Sequence, residues 1–210
     1  MEILKNFVVF EGCDGSGTTT QIGVLEKFLL KNQSSMPMYY ITFEPTNGSI
    51  GKLIRQALRK ELVLSPQSIA MLFAADRYEH IFGPEGIAER CKRGELVISD
   101  RYLPSSLVYQ GITCGDELPA RLNQEFPGPE LLIFLDIEPE IAQQRLAGRE
   151  YTEIFEYLDF QQAVCQRYKA LLHQLSAQGV RIQTIDASLP PQQVAEQVWR
   201  YIAEMPIFKE

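Results

Sequence analysis

The stretch Gly12-Cys13-Asp14-Gly15-Ser16-Gly17-Thr18-Thr19-Thr20 constrains this chain more than any other. An apolar run, Phe7-Val8-Val9-Phe10, leads into it through Glu11, and Ile22, Leu25, Phe28 and Leu29 follow at helical spacing. Strand, glycine-rich turn and helix in that order are the layout of a phosphate-binding loop. Glycines let successive backbone N–H groups turn inward around phosphate oxygens, and the N-terminus of the following helix adds partial positive charge. The usual motif closes with Gly-Lys and then Ser or Thr. Here it closes with Gly17-Thr18-Thr19, so a threonine stands in the lysine position.

Downstream, strand-like and helix-like runs alternate. Residues 7–11 form a continuous apolar strand, which implies burial on both faces. Residues 38–42, 95–99, 131–135 and 180–185 read as four more strands. Apolar periodicity predicts helices over roughly 18–32, 49–61, 66–82 with a continuation to 92, 104–110, 117–124, 139–147, 155–178 and 191–204. Ser65-Pro66 is a helix start, a capping serine followed by proline at the first helical position. Alternation of this kind implies parallel strands joined by right-handed crossovers, an α/β fold. Residues 148–156 carry no pattern that assigns them to helix or loop.

A chain of 210 residues is most economically one domain, here residues 1–210. The net charge of -7 argues against sequence-independent binding of nucleic acid, which needs a basic footprint. No run of about 18 apolar residues supports a membrane span, and the N-terminus does not resemble a signal peptide. Cys13, Cys91, Cys114 and Cys165 are widely spaced and read as thiols in a reducing cytoplasm.

In open α/β sheets ligands bind beyond the carboxyl ends of the strands. Acidic residues gather at those ends: Glu44 after the second strand, Asp100 after the third, Asp136 and Asp186 at the fourth and fifth. Arginines are the second signal. Arg77 follows Phe73 by four residues, so a planar base can stack on the ring while the guanidinium grips a phosphate. Equally, Phe73 can be core and Arg77 can pair with Asp76 or Glu79, and spacing alone leaves both open. Ser106 and Gln110, and Arg145 and Arg149, are likewise four apart.

Taken together these residues resemble the thymidylate kinase family. Phe10-Glu11-Gly12-Cys13-Asp14-Gly15-Ser16-Gly17 with Thr19-Thr20-Gln21 looks like its phosphate loop. Glu44-Pro45-Thr46 resembles its E-P turn, and Leu72-Phe73-Ala74-Ala75-Asp76-Arg77 its L-F-x-A-x-R helix. Asp100-Arg101-Tyr102 followed by Ser105-Ser106-Leu107 and Tyr109-Gln110-Gly111 is close to its D-R-Y…S-S-x-A-Y-Q-G run, and Asp186-Ala187-Ser188 to its D-A-S.

The resemblance implies a three-layer P-loop kinase fold with a five-stranded parallel sheet and a short lid over residues 145–156. It implies transfer of the ATP γ-phosphoryl group to dTMP with Mg²⁺. ATP phosphates would lie on Gly12, Cys13, Asp14, Gly15, Ser16, Gly17, Thr18, Thr19 and Thr20, with Ala187 beside the adenine. Phe73 would stack on thymine, with Ser106 and Gln110 near its edge and Ser105 among the other dTMP-binding residues. Arg55, Arg77 and Arg101 would approach the monophosphate. Asp14, Glu44, Pro45 and Tyr109 would surround the deoxyribose, and Tyr109 would disfavour ribonucleotides. Thr19 and Asp100 would hold the metal, while Asp14, Arg101, Arg145 and Arg149 would serve catalysis. A homodimer is implied as well.

Three departures stand out. Thr18 replaces the lysine, and Phe43 stands where many members have an arginine before the E-P turn. The lid reads Glu153-Ile154, or Tyr151-Thr152 with a one-residue gap, where an acid-arginine step is usual. Ser16 also leaves the loop without an arginine. The chain therefore reads as an active but altered kinase. The alternatives are a nucleotide-binding protein that has lost its chemistry, and a kinase for a related nucleoside or monophosphate.

Overall fold

The computed structural model describes residues 1–146 and 158–209. Arg149, the lid beyond Leu146, and the helix ends expected within 147–157 lie outside the described residues.

Five strands make one sheet: β1 (Ile3–Gly12), β2 (Tyr39–Phe43), β3 (Leu96–Asp100), β4 (Gly128–Asp136) and β5 (Arg181–Asp186). Their order is β2-β3-β1-β4-β5 and every pairing is parallel. The central position of β1 explains its unbroken apolar run. Phe7 and Val9 pack on one face with Ile81, Val97 and Tyr102, while Val8 and Phe10 pack in the larger core with Leu25, Ile133 and Tyr168. Each such side chain contributes about 1.5–3 kcal/mol of burial.

Helices cover the sheet: α1 (Thr18–Lys31), α2 (Ser49–Leu58), α3 (Pro66–Phe82), α4 (Ile87–Lys92), α5 (Leu103–Cys114), α6 (Glu117–Asn123), α7 (Pro139–Leu146), α8 (Leu158–Ala177) and α9 (Pro191–Ala203). Four boundaries differ from the sequence expectation by more than a residue or two, each for a local reason. β1 and β4 start earlier because Ile3 pairs with Gly128 and Leu4 with Pro129 before a register shift ahead of Val8. Asn6 takes φ 63° at that irregularity, and its N–H donates to Glu130 Oε2 at 2.6 Å. α2 stops at Leu58 rather than 61, with Lys60 at φ 62°, the left-handed conformation that closes helices. α5 runs on to Cys114, through Gly111, where a Cβ would sit 2.7 Å from Asp116 Oδ1 and 2.8 Å from Arg167 Nη1.

Because all five strands are parallel, their carboxyl ends share one edge. Register places Asp100 beside both Phe10 and Phe43, and Asp136 beside Asp186. The loop after β1, the Glu44 turn after β2 and the Asp100-Arg101 step after β3 thus meet at one rim.

Candidate active site

The loop between β1 and α1 turns through Gly15 at φ 87° and Gly17 at φ 96°, a conformation glycine adopts without a steric cost. It is seated tightly. A Cβ on Gly12 would lie 2.4 Å from Ser16 Oγ and 2.8 Å from the Leu135 carbonyl, and one on Gly15 would lie 2.4 Å from the Ala142 carbonyl. Above it opens a cavity of about 700 Å³, lined by Cys13 through Gln21 and closed on the far side by Arg145, Ala187 and Leu189. Thr18, in the lysine position, is buried and brings a neutral hydroxyl. Among the described residues the cations lining this cavity are Arg101 and Arg145. Arg145 donates to the Ala187 carbonyl at 2.9 Å, and the Ala187 N–H donates to the Asp136 carbonyl at 2.8 Å.

One hydroxyl and one carboxylate at the loop suit a hard cation. Thr19 Oγ1 donates to Asp100 Oδ2 at 2.5 Å. The other oxygen, Asp100 Oδ1, is buried and receives no hydrogen bond from the described residues. Mg²⁺ takes few protein oxygens and completes its shell with water and phosphate, so this pair fits it.

A second, smaller cavity of about 120 Å³ adjoins the first. Pro45, Leu58 and Phe73 supply apolar wall, while Glu44, Arg77, Ser106 and Gln110 supply polar groups. Arg77 is fully buried, and neither Asp76 nor Glu79 pairs with it. Its Nη2 and Nε donate to Glu44 Oε2 at 2.6 and 2.9 Å, Nη2 donates to Ser106 Oγ at 2.9 Å, and Nη1 donates to Asn123 Oδ1. Four of its five N–H donors are therefore committed within the protein. Burial pushes the Glu44 carboxyl up, but the Arg77 charge and the His80 hydrogen bond more than offset this and hold it below its ordinary value.

Asp76 acts elsewhere. It accepts from the Thr46 N–H and hydroxyl, both at 2.7 Å, and so fixes the turn after the cis Glu44–Pro45 peptide. Arg55 donates to the Thr46 carbonyl at 2.6 Å and to the Pro45 carbonyl, outside the lining of the small cavity. The remaining residues expected around the acceptor nucleotide line it. Gln110 Oε1 is buried there and receives no hydrogen bond from the described residues.

Asp14 and Arg101 line both cavities. Arg101 occupies the left-handed region at φ 69°, its N–H donating to the Phe10 carbonyl at 2.9 Å, which turns its side chain back over the loop. That conformation costs a non-glycine residue of order 1–3 kcal/mol and recurs at functional sites. The guanidinium donates to the Gly12 carbonyl and Ser105 Oγ, both at 3.1 Å, and to Asp14 Oδ1. Burial opposes its charge, yet Tyr109, Asp14, Tyr168 and Glu11 hold its pKa well above the ordinary value.

Several supporting residues escaped sequence reasoning. Glu11, wholly buried, accepts from the N–H groups of Tyr102 and Ser105 at 2.9 and 3.2 Å, at the start of α5. It also accepts from the hydroxyls of Ser105 and Tyr168 at 2.8 and 2.7 Å. Burial raises its pKa despite these partners and Arg101. Its signal was a charged residue at the end of a doubly buried strand, where only a prepared partner set tolerates a carboxylate. Gln161 accepts from the Asp14 N–H at 3.1 Å and donates to Asp14 Oδ2 at 3.0 Å, and Asn123 steadies Arg77. Neither had a local signal, since both come from helices distant in sequence.

A sequence model of the family described as thymidylate kinase matches residues 10–198. The chain belongs to the thymidylate kinase family.

A Treponema pallidum (strain Nichols) relative that also bears a thymidylate kinase name is 39% identical over 207 residues, 97% of this chain and 98% of that protein. A "probable thymidylate kinase" of Pyrobaculum aerophilum is 39% identical over 204 residues, covering 97% of this chain and 99% of the relative. The thymidylate kinase of Clostridium novyi (strain NT) is 34% identical over 203 residues, 91% and 95% of the two chains. The family match spans both cavities, from the loop of the thymidylate kinase fold to α9.

Proposed function

We propose that this protein is an ATP-dependent nucleoside monophosphate kinase that phosphorylates dTMP to dTDP. The observation that carries the reading is the shared rim: Asp14 and Arg101 face a large loop-built cavity and a small side-chain-built one at once. A guanidinium so placed can bridge a donor and an acceptor phosphate, offsetting their mutual repulsion. Phosphoryl transfer is mostly positioning plus electrostatic stabilisation of the equatorial oxygens, which is what such a residue supplies. The acceptor phosphate is already anionic, so no general base is required.

The loop amides and the N-terminus of α1 take the triphosphate, with Ala187 beside the adenine. Thr19 and Asp100 would hold Mg²⁺, which would supply charge neutralisation to the triphosphate. In the small cavity Phe73 stacks on the base, and the Gln110 amide oxygen offers thymine's ring N–H the acceptor it needs. Tyr109, Glu44 and Asp14 surround the sugar. Arg77 acts by holding Ser106 and Glu44 in place rather than by gripping the phosphate, because four of its five donors are spent on them and on Asn123. Arg55 reinforces the Pro45-Thr46 turn. Arg145 and Arg149 serve the closing of the site over ATP.

A homodimer is the proposed assembly. Met71, Ala75, Tyr78 and Phe82 form an exposed stripe along α3, whose opposite face is already buried, and an apolar helix surface of that kind suits a helix-to-helix contact. Light scattering on wild type and Tyr78→Glu tests it, the variant running at half the mass of the dimer. No helix among the described residues is long and apolar enough to cross a membrane. The proposed location is the cytoplasm, supported by four unlinked thiols.

The direct test is product analysis with ATP and Mg²⁺ over a panel of dTMP, UMP, CMP and thymidine. Conversion of dTMP to dTDP ahead of every other acceptor supports the assignment. Preference for thymidine, or tight dTMP binding with no dTDP formed, overturns it.

A further inference from the structure

Arg101 is the bridging group of the proposed reaction, and α8 reaches it from outside both cavities. Gln161 and Tyr168 stand about two helical turns apart on α8 and share the face that also buries Val164 and Leu175. Both are buried, and neither lines a cavity. Any effect of theirs on the reaction therefore passes through another residue.

Gln161 holds one side of the guanidinium. Its amide oxygen accepts from the Asp14 N–H at 3.1 Å, and its amide nitrogen donates to Asp14 Oδ2 at 3.0 Å. An amide side chain offers an acceptor and a donor side by side, which this clasp requires. Backbone and carboxylate of Asp14 are fixed together, and Asp14 Oδ1 is left to accept from Arg101 Nη2.

Tyr168 holds the other side. Its ring packs against Phe134 and Tyr109, with centroids 5.1 and 6.5 Å away, which sets where its hydroxyl points. The hydroxyl donates to Glu11 Oε2 at 2.7 Å, and Ser105 Oγ donates to the same oxygen at 2.8 Å. Burial and the Glu11 charge raise the Tyr168 pKa well above its ordinary value, so the hydroxyl stays a donor. With its own proton on Glu11, Ser105 Oγ accepts from Arg101 Nη1 at 3.1 Å. Glu11 is fixed in turn by the sheet, where it lies in register with Phe134.

We propose that Gln161 and Tyr168 are positioning residues for phosphoryl transfer, which lock the Arg101 guanidinium between Asp14 and Ser105 so that it spans both cavities. The effect on rate rests on the kinase reading; the lock itself does not. The Arg101 backbone is the reason a lock is needed. A non-glycine residue at φ 69° persists only where its surroundings over-determine it. One rigid helix face supplies both arms of that constraint, at Gln161 through Asp14 and at Tyr168 through Glu11 and Ser105.

The first test is a cycle of kcat values measured with radiolabelled ATP and dTMP. Gln161→Leu should lower kcat on the order of 10²-fold, the loss expected when a reacting group is misplaced by about 1 Å. Tyr168→Phe keeps the ring and should lower kcat about tenfold, since one hydrogen bond to a charged group is lost. Its effect is the smaller because the Gly12 carbonyl still accepts from Arg101 Nη1. In both variants kcat and kcat/KM fall together, the mark of an interaction made in the transition state. Placed on Arg101→Ala, each change should cost less than about twofold more, because nothing is left to position. Losses that multiply in full on Arg101→Ala overturn the proposal, as does a wild-type kcat in either single variant.

The second test reads the lock without turnover. A guanidinium held at both ends rotates slowly about its C–N bonds, so ¹⁵N NMR of the wild type should give separate Nη signals for Arg101. Their loss in Arg101→Ala identifies them, and both single variants should merge them. Signals merged already in the wild type, or unchanged in both variants, overturn the proposal. Should the wild type show no turnover, the kinase reading fails and these spectra alone decide the lock.

Discussion

The two cavities at the rim of the sheet are built on opposite plans. The large one is made of a loop backbone: glycines in left-handed turns, the first turn of α1, and two guanidiniums at its edges. The small one is made of side chains already bonded to one another, with Arg77 shared among Glu44, Ser106 and Asn123 before any ligand arrives. A backbone cradle tolerates change in its side chains, which is how threonine can stand at position 18. A wired side-chain pocket does not, because removing one member strands the others in a place without water.

That contrast predicts a graded set of effects. The largest belongs to the guanidinium common to both cavities. Arg101→Ala should lower kcat/KM for dTMP by about 10³–10⁵, the range seen when a bridging arginine is lost. Initial-rate kinetics beside circular dichroism would check it, and a loss under tenfold in a folded variant would dissolve the shared-rim argument.

Next comes the wired pocket. Glu44→Gln leaves a buried guanidinium uncompensated and should cost about 3–5 kcal/mol in urea unfolding. The pH dependence has a definite sign. The folded Glu44 pKa lies below its ordinary value of 4.5, so its stabilisation is complete above that value. It drains away as pH falls through the lower folded value. Urea midpoints of wild type should therefore drop towards those of Glu44→Gln as the solution is acidified. Parallel curves at all pH values would show that the pair does not set this stability.

Thr18→Lys tests the backbone cavity. Adding one preorganised cation should raise kcat by up to about 10²–10³ and leave the KM for dTMP unchanged. A change confined to the dTMP KM would mean that the cavities are not separable. The smallest effect is expected from Gln110→Leu, about tenfold in the KM for dTMP with kcat nearly preserved, since one neutral hydrogen bond is lost.

The contrast also explains what was legible in the sequence. The backbone-built half could be read directly, because Gly12, Gly15, Gly17 and Thr19 occupy fixed spacings along one segment. The strand ends followed from the apolar runs, and with them the meeting of Glu44, Asp100 and Arg101 at one rim. The wired half was legible only as a set of residues. Spacing on α3 suggested Asp76 or Glu79 as the partner of Arg77, whereas the fold supplies Glu44 from another strand and Asn123 from α6. Gln161 and Tyr168 reach the site from α8, more than 140 residues beyond the loop they brace. Periodicity reports which face of a helix is buried and says nothing of what it is buried against.

The most direct measurement is ADP release from ATP and Mg²⁺, coupled to a spectroscopic readout, with and without dTMP. Both cavities serving one reaction predicts release that depends on dTMP and saturates with it in the unmodified protein. Release at the same background rate with and without dTMP, in wild type and in Thr18→Lys alike, would contradict the transfer of phosphate across the rim.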